Sequence, residues 1–244
     1  MKPLLEAELL KLRTTRTFAT LVGLGVLLSL VLLVLTTLLQ DHFDERDVRV
    51  LFAGDFTGLF ILLLGVMGMA GEWRHRTITS SVLAAPDRLR LLAAKAISYA
   101  VAGAVLSLAV TASLMLFGTI ILSIRDQTTL DSAQLLDVLW RNLASAAYLG
   151  ALGVCIGALV RNQIVAIVGV LIVSFVVEPT LLGLVSGVGR FAPIQGAPSG
   201  LVGIDFNGDD SRLLQPGIAA LVMAGWVALL FAGAAATLNR RDLT

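Results

Sequence analysis

Six long apolar runs, separated by polar stretches, organise this chain. They cover Phe18 to Leu39, Val50 to Gly71, Ala96 to Ile124, Asn142 to Val160, Gln163 to about Gly187, and Gly217 to Leu238. A helix needs about 20 residues to cross a bilayer core. Helices are the expected form, because an open strand edge cannot satisfy its backbone in lipid. The pattern predicts an all-α polytopic membrane protein, a single transmembrane domain over residues 1–244. Ahead of the first run, Leu4, Leu5, Leu9 and Leu12 recur at helical spacing, while Glu6, Lys11 and Arg13 take the other side. That spacing predicts an amphipathic helix within 1–17, lying in the membrane interface. The fifth run is too long for one simple span, and a polar, Gly- and Pro-rich stretch follows it through Pro216. A span ending near Glu178 and a short segment dipping back from outside, within 178–215, would account for both.

Composition agrees with the pattern. Of the 244 residues, 57% are hydrophobic and 14% charged, whereas soluble domains carry roughly 25% charged residues. No small-x-small site follows Leu39, so the first run is expected to remain as a span rather than be cleaved as a leader. The lone Cys155 can form no intrachain disulfide, and a net charge of +1 argues against a nucleic-acid partner. The distribution of charge says more than its sum. Twelve Lys and Arg residues fall on the side of the N-terminal segment, the second and fourth connectors and the tail; six fall on the other side. The acidic residues of the connectors cluster opposite, among them Asp41, Asp44, Asp131 and Asp209. Counting Lys and Arg alone places both termini in the cytoplasm, with the chain expected in the cell membrane.

The second connector carries the most chemistry. Glu72, Arg74 and Arg76 leave the span with Trp73 at headgroup level, where an indole is comfortable. Thr77 to Ala84 can form a short helix, ended by Ala85–Pro86. Pro86 then starts the next helix, with Arg88, Arg90 and Lys95 along its cytoplasmic end. The segment 72–92 therefore reads as a short surface helix held between two spans. It is either a docking site or simply a basic topology signal.

The order Glu72, Arg74, Arg76-Thr77-Ile78, Leu83, Pro86, Arg88, Arg90, Lys95 resembles the cytoplasmic segment of ABC-2 type permeases, with Arg76 standing where that family often has glycine. The N-terminal Glu8-Leu9-Leu10-Lys11-Leu12-Arg13, the turn Leu159-Val160-Arg161-Asn162-Gln163, Val177-Glu178-Pro179 and Gly189-Arg190-Phe191-Ala192-Pro193 are similar to further parts of the same family. The resemblance implies the membrane subunit of an ATP-driven exporter. Two such subunits, identical or paralogous, would assemble with two copies of a separate ATPase in the lipid bilayer. It implies that residues 1–17 form an elbow helix. Glu72, Arg74, Arg76, Thr77, Pro86 and Arg88 would couple this chain to the ATPase, which would bind ATP and Mg.

The residues add their own restrictions. No Gly-Lys pair occurs, so no phosphate-binding loop of the Gly-x-x-x-x-Gly-Lys-Ser/Thr kind is present, and no cofactor is expected on this chain. The only histidines, His42 and His75, lie in connectors, and Cys155 has no base beside it, so catalysis is not expected. Asp55 and Glu178 lie at membrane depth, where a charge costs several kcal/mol. They read as polar lining or, with Pro179, as a hinge. Asp55 could instead snorkel to the headgroups, and Glu178 could cap a broken helix. Gly150, Gly153 and Gly157 permit close helix approach, within the chain or between copies. Two further function classes remain open. One is a proton-coupled transporter working through Asp55 and Glu178, which should show paired broken helices. The other is a non-transporting membrane scaffold.

Overall fold

The computed structural model describes residues 2–14, 16–54, 57–74, 87–160, 162–204 and 213–240. Helices start where short polar side chains can occupy free backbone N–H groups. Asp44 and Asp131 each form a capping box, with Asp47 and Gln134, at the starts of α3 (Glu45–Ala53) and α6 (Ser132–Leu159). Asp87 caps α5 (Arg88–Ile124), and Asn162 caps α7 (Gln163–Ile172). The other long helices are α1 (Lys2–Thr14), α2 (Arg16–Leu39), α4 (Thr57–Arg74) and α11 (Pro216–Arg240). Among the described residues, six helical stretches are long and apolar enough to cross a membrane. The protein is a multi-pass helical membrane protein.

Four of the spans depart from the lengths that the apolar runs predict. The second stretch is described as two helices: α3 ends at Ala53 with Gly54 as its cap, and α4 starts at Thr57. The third and fourth helices begin earlier than their apolar cores, at Arg88 and Ser132, because the polar residues before Ala96 and Asn142 continue the helix beyond the apolar boundary. The fifth does not stop at Glu178. It passes through one π-helical turn (Val173–Val177) and continues as α8 (Glu178–Leu184). Pro179 lacks an N–H and would crowd the carbonyl four residues back, so the wider π-turn places the irregularity just ahead of it. After α9 (Ser186–Gly189) the chain turns back and forms α10 (Gly196–Val202). Gly203, at φ +79°, closes α10 in the left-handed conformation that glycine takes at no steric cost.

Helix α6 is the hub, packing on α4, α5, α10 and α11. Its glycines make this possible. A Cβ on Gly150 would overlap the Tyr99 carbonyl of α5, one on Gly153 would overlap the Leu62 carbonyl of α4, and one on Gly157 would stand 2.7 Å from the Val66 carbonyl. These glycines are therefore occupied by intrachain contacts between backbones. Gly183 and Gly187, a further pair at four-residue spacing, face open space.

The bundle has two distinct ends. One gathers α1, the end of α4, the start of α5 and the end of α11; here Arg88 donates to the Leu238 carbonyl. This is the terminal end. The far end holds α3, the turn after Ile124, and α8 to α10.

Candidate functional site

At the terminal end, four charged side chains from three helices meet, three of them buried and Lys11 at the surface. Lys95 is fully buried on the inner face of α5, beside Leu91, Leu92 and Tyr99. Its ammonium donates to both carboxylate oxygens of Glu8 at 2.9 Å and to Glu72 Oε1 at 2.8 Å. Glu72, at the end of α4, accepts a second bond on the same oxygen, from Lys11 at 2.8 Å. Two acids and two bases thus cancel in charge, as burial requires. Glu72 Oε2 is buried without a partner in the protein. Lys95 is wholly enclosed, whereas the Lys11 side chain is 54% exposed. Burial pulls the Lys11 ammonium down, but the Glu72 hydrogen bond and the Glu72 and Glu8 charges outweigh it, so its pKa stands above the ordinary lysine value.

The cluster does one mechanical thing. Glu72 precedes the connector 75–86 and Lys95 follows it, so both flanking helices are clamped to each other and to α1 by the same ions. Around it, Arg74 reaches Gln163 at 3.5 Å, Arg90 pairs with the α5 cap Asp87 at 2.9 Å, and Arg88 ties the start of α5 to the end of α11. Glu72 is thus turned inward, and Arg74 lies at the exposed surface. Arg76, Thr77 and Pro86, like the helix expected over 77–84, lie outside the described residues.

Helix α1 forms. Glu8 and Leu12 are buried, while Leu9 and Leu10 are exposed. The leucine spacing alone did not show that Glu8 turns inward. Glu8 points inward because Lys95 is there to receive it.

At the far end, Glu178 is buried, and its carboxylate accepts from the Ile194 N–H at 2.9 Å and the Gln195 N–H at 2.5 Å. These amides lie just ahead of α10, sixteen and seventeen residues downstream, so the acid holds the return segment against the π-turn. Gln195 Nε2 completes the link by donating to the Ser174 carbonyl at 2.6 Å. Pro179 follows the π-turn at the start of α8. Asp55 lies outside the described residues. Cys155 is buried and free. No group of His, Cys, Asp and Glu able to hold a metal exists among the described residues.

No protein-family model matches this chain, and no curated protein matches it.

Proposed function

We propose that this chain is the permease subunit of an ATP-driven exporter of the ABC-2 type, moving a hydrophobic or amphipathic substrate outward. The observation that carries the reading is the clamp made by Glu8, Lys11, Glu72 and Lys95. It joins both sides of the basic connector to α1, so a push on that connector moves α1, α4 and α5 together rather than bending a loop. Such a rigid input suits a transporter whose two states are biased by a ligand bound elsewhere. In this reading both termini and the connector face the cytoplasm, α1 is the elbow, and residues 72–92 dock into a separate ATPase. Arg74 and Arg76 would orient docking against acidic rims, giving specificity more than raw affinity. ATP and Mg would be bound by that subunit, and two permease copies, or two paralogues, would complete the assembly.

Proton coupling fits less well, because the Glu178 carboxylate is committed to backbone N–H groups of the return segment. The test is purification of the tagged chain from native membranes in mild detergent, with mass spectrometry and an ATPase assay. A stoichiometric ATPase carrying a phosphate-binding loop is expected. An ATPase-free oligomer would overturn the reading.

A further inference from the structure

A cavity of about 410 Å³ lies toward the far end, between the start of α4, the middle of α6, the π-turn and α10. Its size falls within the ~300–1,000 Å³ of small-molecule sites. Thr57, Asn142, Ser145, Ser174, Gln195 and Ser199 supply its polar lining, and no charged side chain lines it among the described residues.

Ser174 marks the cavity as more than a packing gap. A serine or threonine within a helix ordinarily returns its hydroxyl to a carbonyl three or four residues back. Ser113, Thr119 and Thr180 do so here, donating to the Ala109, Met115 and Val176 carbonyls. Ser174 sits in the π-turn, is 2% exposed, and its Oγ has no hydrogen-bond partner in the protein. Its own carbonyl is taken by Gln195 Nε2. The nearest buried acid, Glu178, is spent on Ile194 and Gln195. What remains is a hydroxyl awaiting a partner, with neutral donors and acceptors around it; a buried polar group left in that condition is costly. The rest of the wall is apolar, and it includes Phe175, which is 61% exposed on the outer surface of the same span.

We propose that this cavity binds an uncharged, hydroxyl-headed amphiphile taken from the membrane, its head among Asn142, Ser145, Ser174 and Ser199 and its tail leaving past Phe175. A charged head is disfavoured, because no charged side chain among the described lining residues would neutralise it at membrane depth. The inference goes beyond the transport reading and does not depend on it, since it concerns binding alone.

The test uses the full chain in lipid nanodiscs with a diazirine-bearing decanol as probe, followed by peptide mapping. Saturable labelling is expected in peptides covering 142–149 and 194–202. Unlabelled decanol should compete, whereas decanoate and decyltrimethylammonium, with similar tails, should compete at least tenfold less. Ser145→Leu, which fills the cavity, should remove the saturable component, and Ser174→Val should weaken it by roughly 3- to 10-fold, the range for one hydrogen bond. Labelling that spreads over all lipid-facing helices without saturating would overturn the proposal. So would equal competition by the charged analogues, or an unchanged Ser145→Leu. If either variant elutes as aggregate, the charged-analogue competition on the natural chain decides.

Discussion

Replacing Lys95 with methionine keeps the volume of the side chain and deletes its charge, leaving Glu8 and Glu72 facing each other in the interior. Lys95 contacts the two acids at 2.8–2.9 Å. With an effective dielectric of about 20, each contact is worth roughly 6 kcal/mol of Coulomb energy. Desolvation of the buried ions, several kcal/mol each, takes back most of this, and removing one member of such a set typically costs about 3–5 kcal/mol net. Lys95→Met should therefore destabilise the protein by about 3–5 kcal/mol, measured by SDS titration in mixed micelles with circular dichroism. The sharper expectation concerns the neutral replacement. Glu8→Gln, Glu72→Gln and Lys95→Met together leave only Lys11 charged, and it reaches solvent. The triple variant should then regain most of the loss and lie within about 2 kcal/mol of the natural protein, as uncharged substitutes for buried ion sets do. Lys95→Met within 1 kcal/mol of the natural chain on the ~0–1 kcal/mol scale of exposed ion pairs, or a triple variant no better than the single one, would refute the buried clamp.

Further expectations follow from other contacts. Gly153→Leu should push α6 off the Leu62 carbonyl and lower stability by about 1–3 kcal/mol or more, whereas Gly183→Leu, with open space around it, should unfold within ~0.5 kcal/mol of the natural chain; equal losses in the same titration would argue against the packing described. Glu178→Ala should leave the Ile194 and Gln195 amides without their acceptor, speeding their hydrogen exchange by roughly 3- to 10-fold through loss of a hydrogen bond each, and unchanged protection would contradict these bonds. The folded-state pKa of Lys11 lies above its ordinary 10.5, so its contribution is complete below that value and disappears as pH rises through the raised one. A stability profile from pH 8 upward should thus fall more steeply above pH 10.5 in the natural chain than in Lys11→Met; parallel curves would mean that Lys11 adds nothing.

Much of the fold was legible in the sequence because apolar runs of span length leave a bilayer protein few alternatives. Phe18–Leu39 and Pro216–Leu238 fall almost where hydropathy puts them. The helix start near Arg88 was legible from Pro86, whereas the start at Ser132 was not, since hydropathy reports where a helix is apolar and not where its caps lie. Glu178 and Pro179 were visible as an irregularity, but the π-turn was not, because which of two adjacent turns absorbs a proline depends on what receives the freed carbonyl. Here Gln195 does so for Ser174, from the other side of a turn.

The ionic clamp was half visible. Glu72 stood out beside the connector, but Lys95 entered only as a basic residue of the connector segment and its motif, and Glu8 only as the first residue of the N-terminal motif. The signal that could have found them was present: Lys95 follows Leu91-Leu92-Ala93-Ala94 and precedes a long apolar run. A lysine so placed within a helix requires an acid. Which acid it meets is a matter of tertiary packing, and the separations of 87 and 23 residues to Glu8 and Glu72 are not encoded in any local period. Ser174 and Gln195 were equally hidden, being ordinary residues until the return of α10 brings them together.

The most direct test of the coupling account is a charge reversal on the connector itself. Arg74→Glu with Arg76→Glu leaves the buried clamp intact, so the tagged variant should elute from native membranes at the same volume as the natural chain. The account predicts that a nucleotide-hydrolysing subunit co-purifies with the natural chain and is lost from the variant together with the ATPase activity. A natural chain that purifies free of any such subunit, or a variant that keeps it with undiminished activity, would contradict the account.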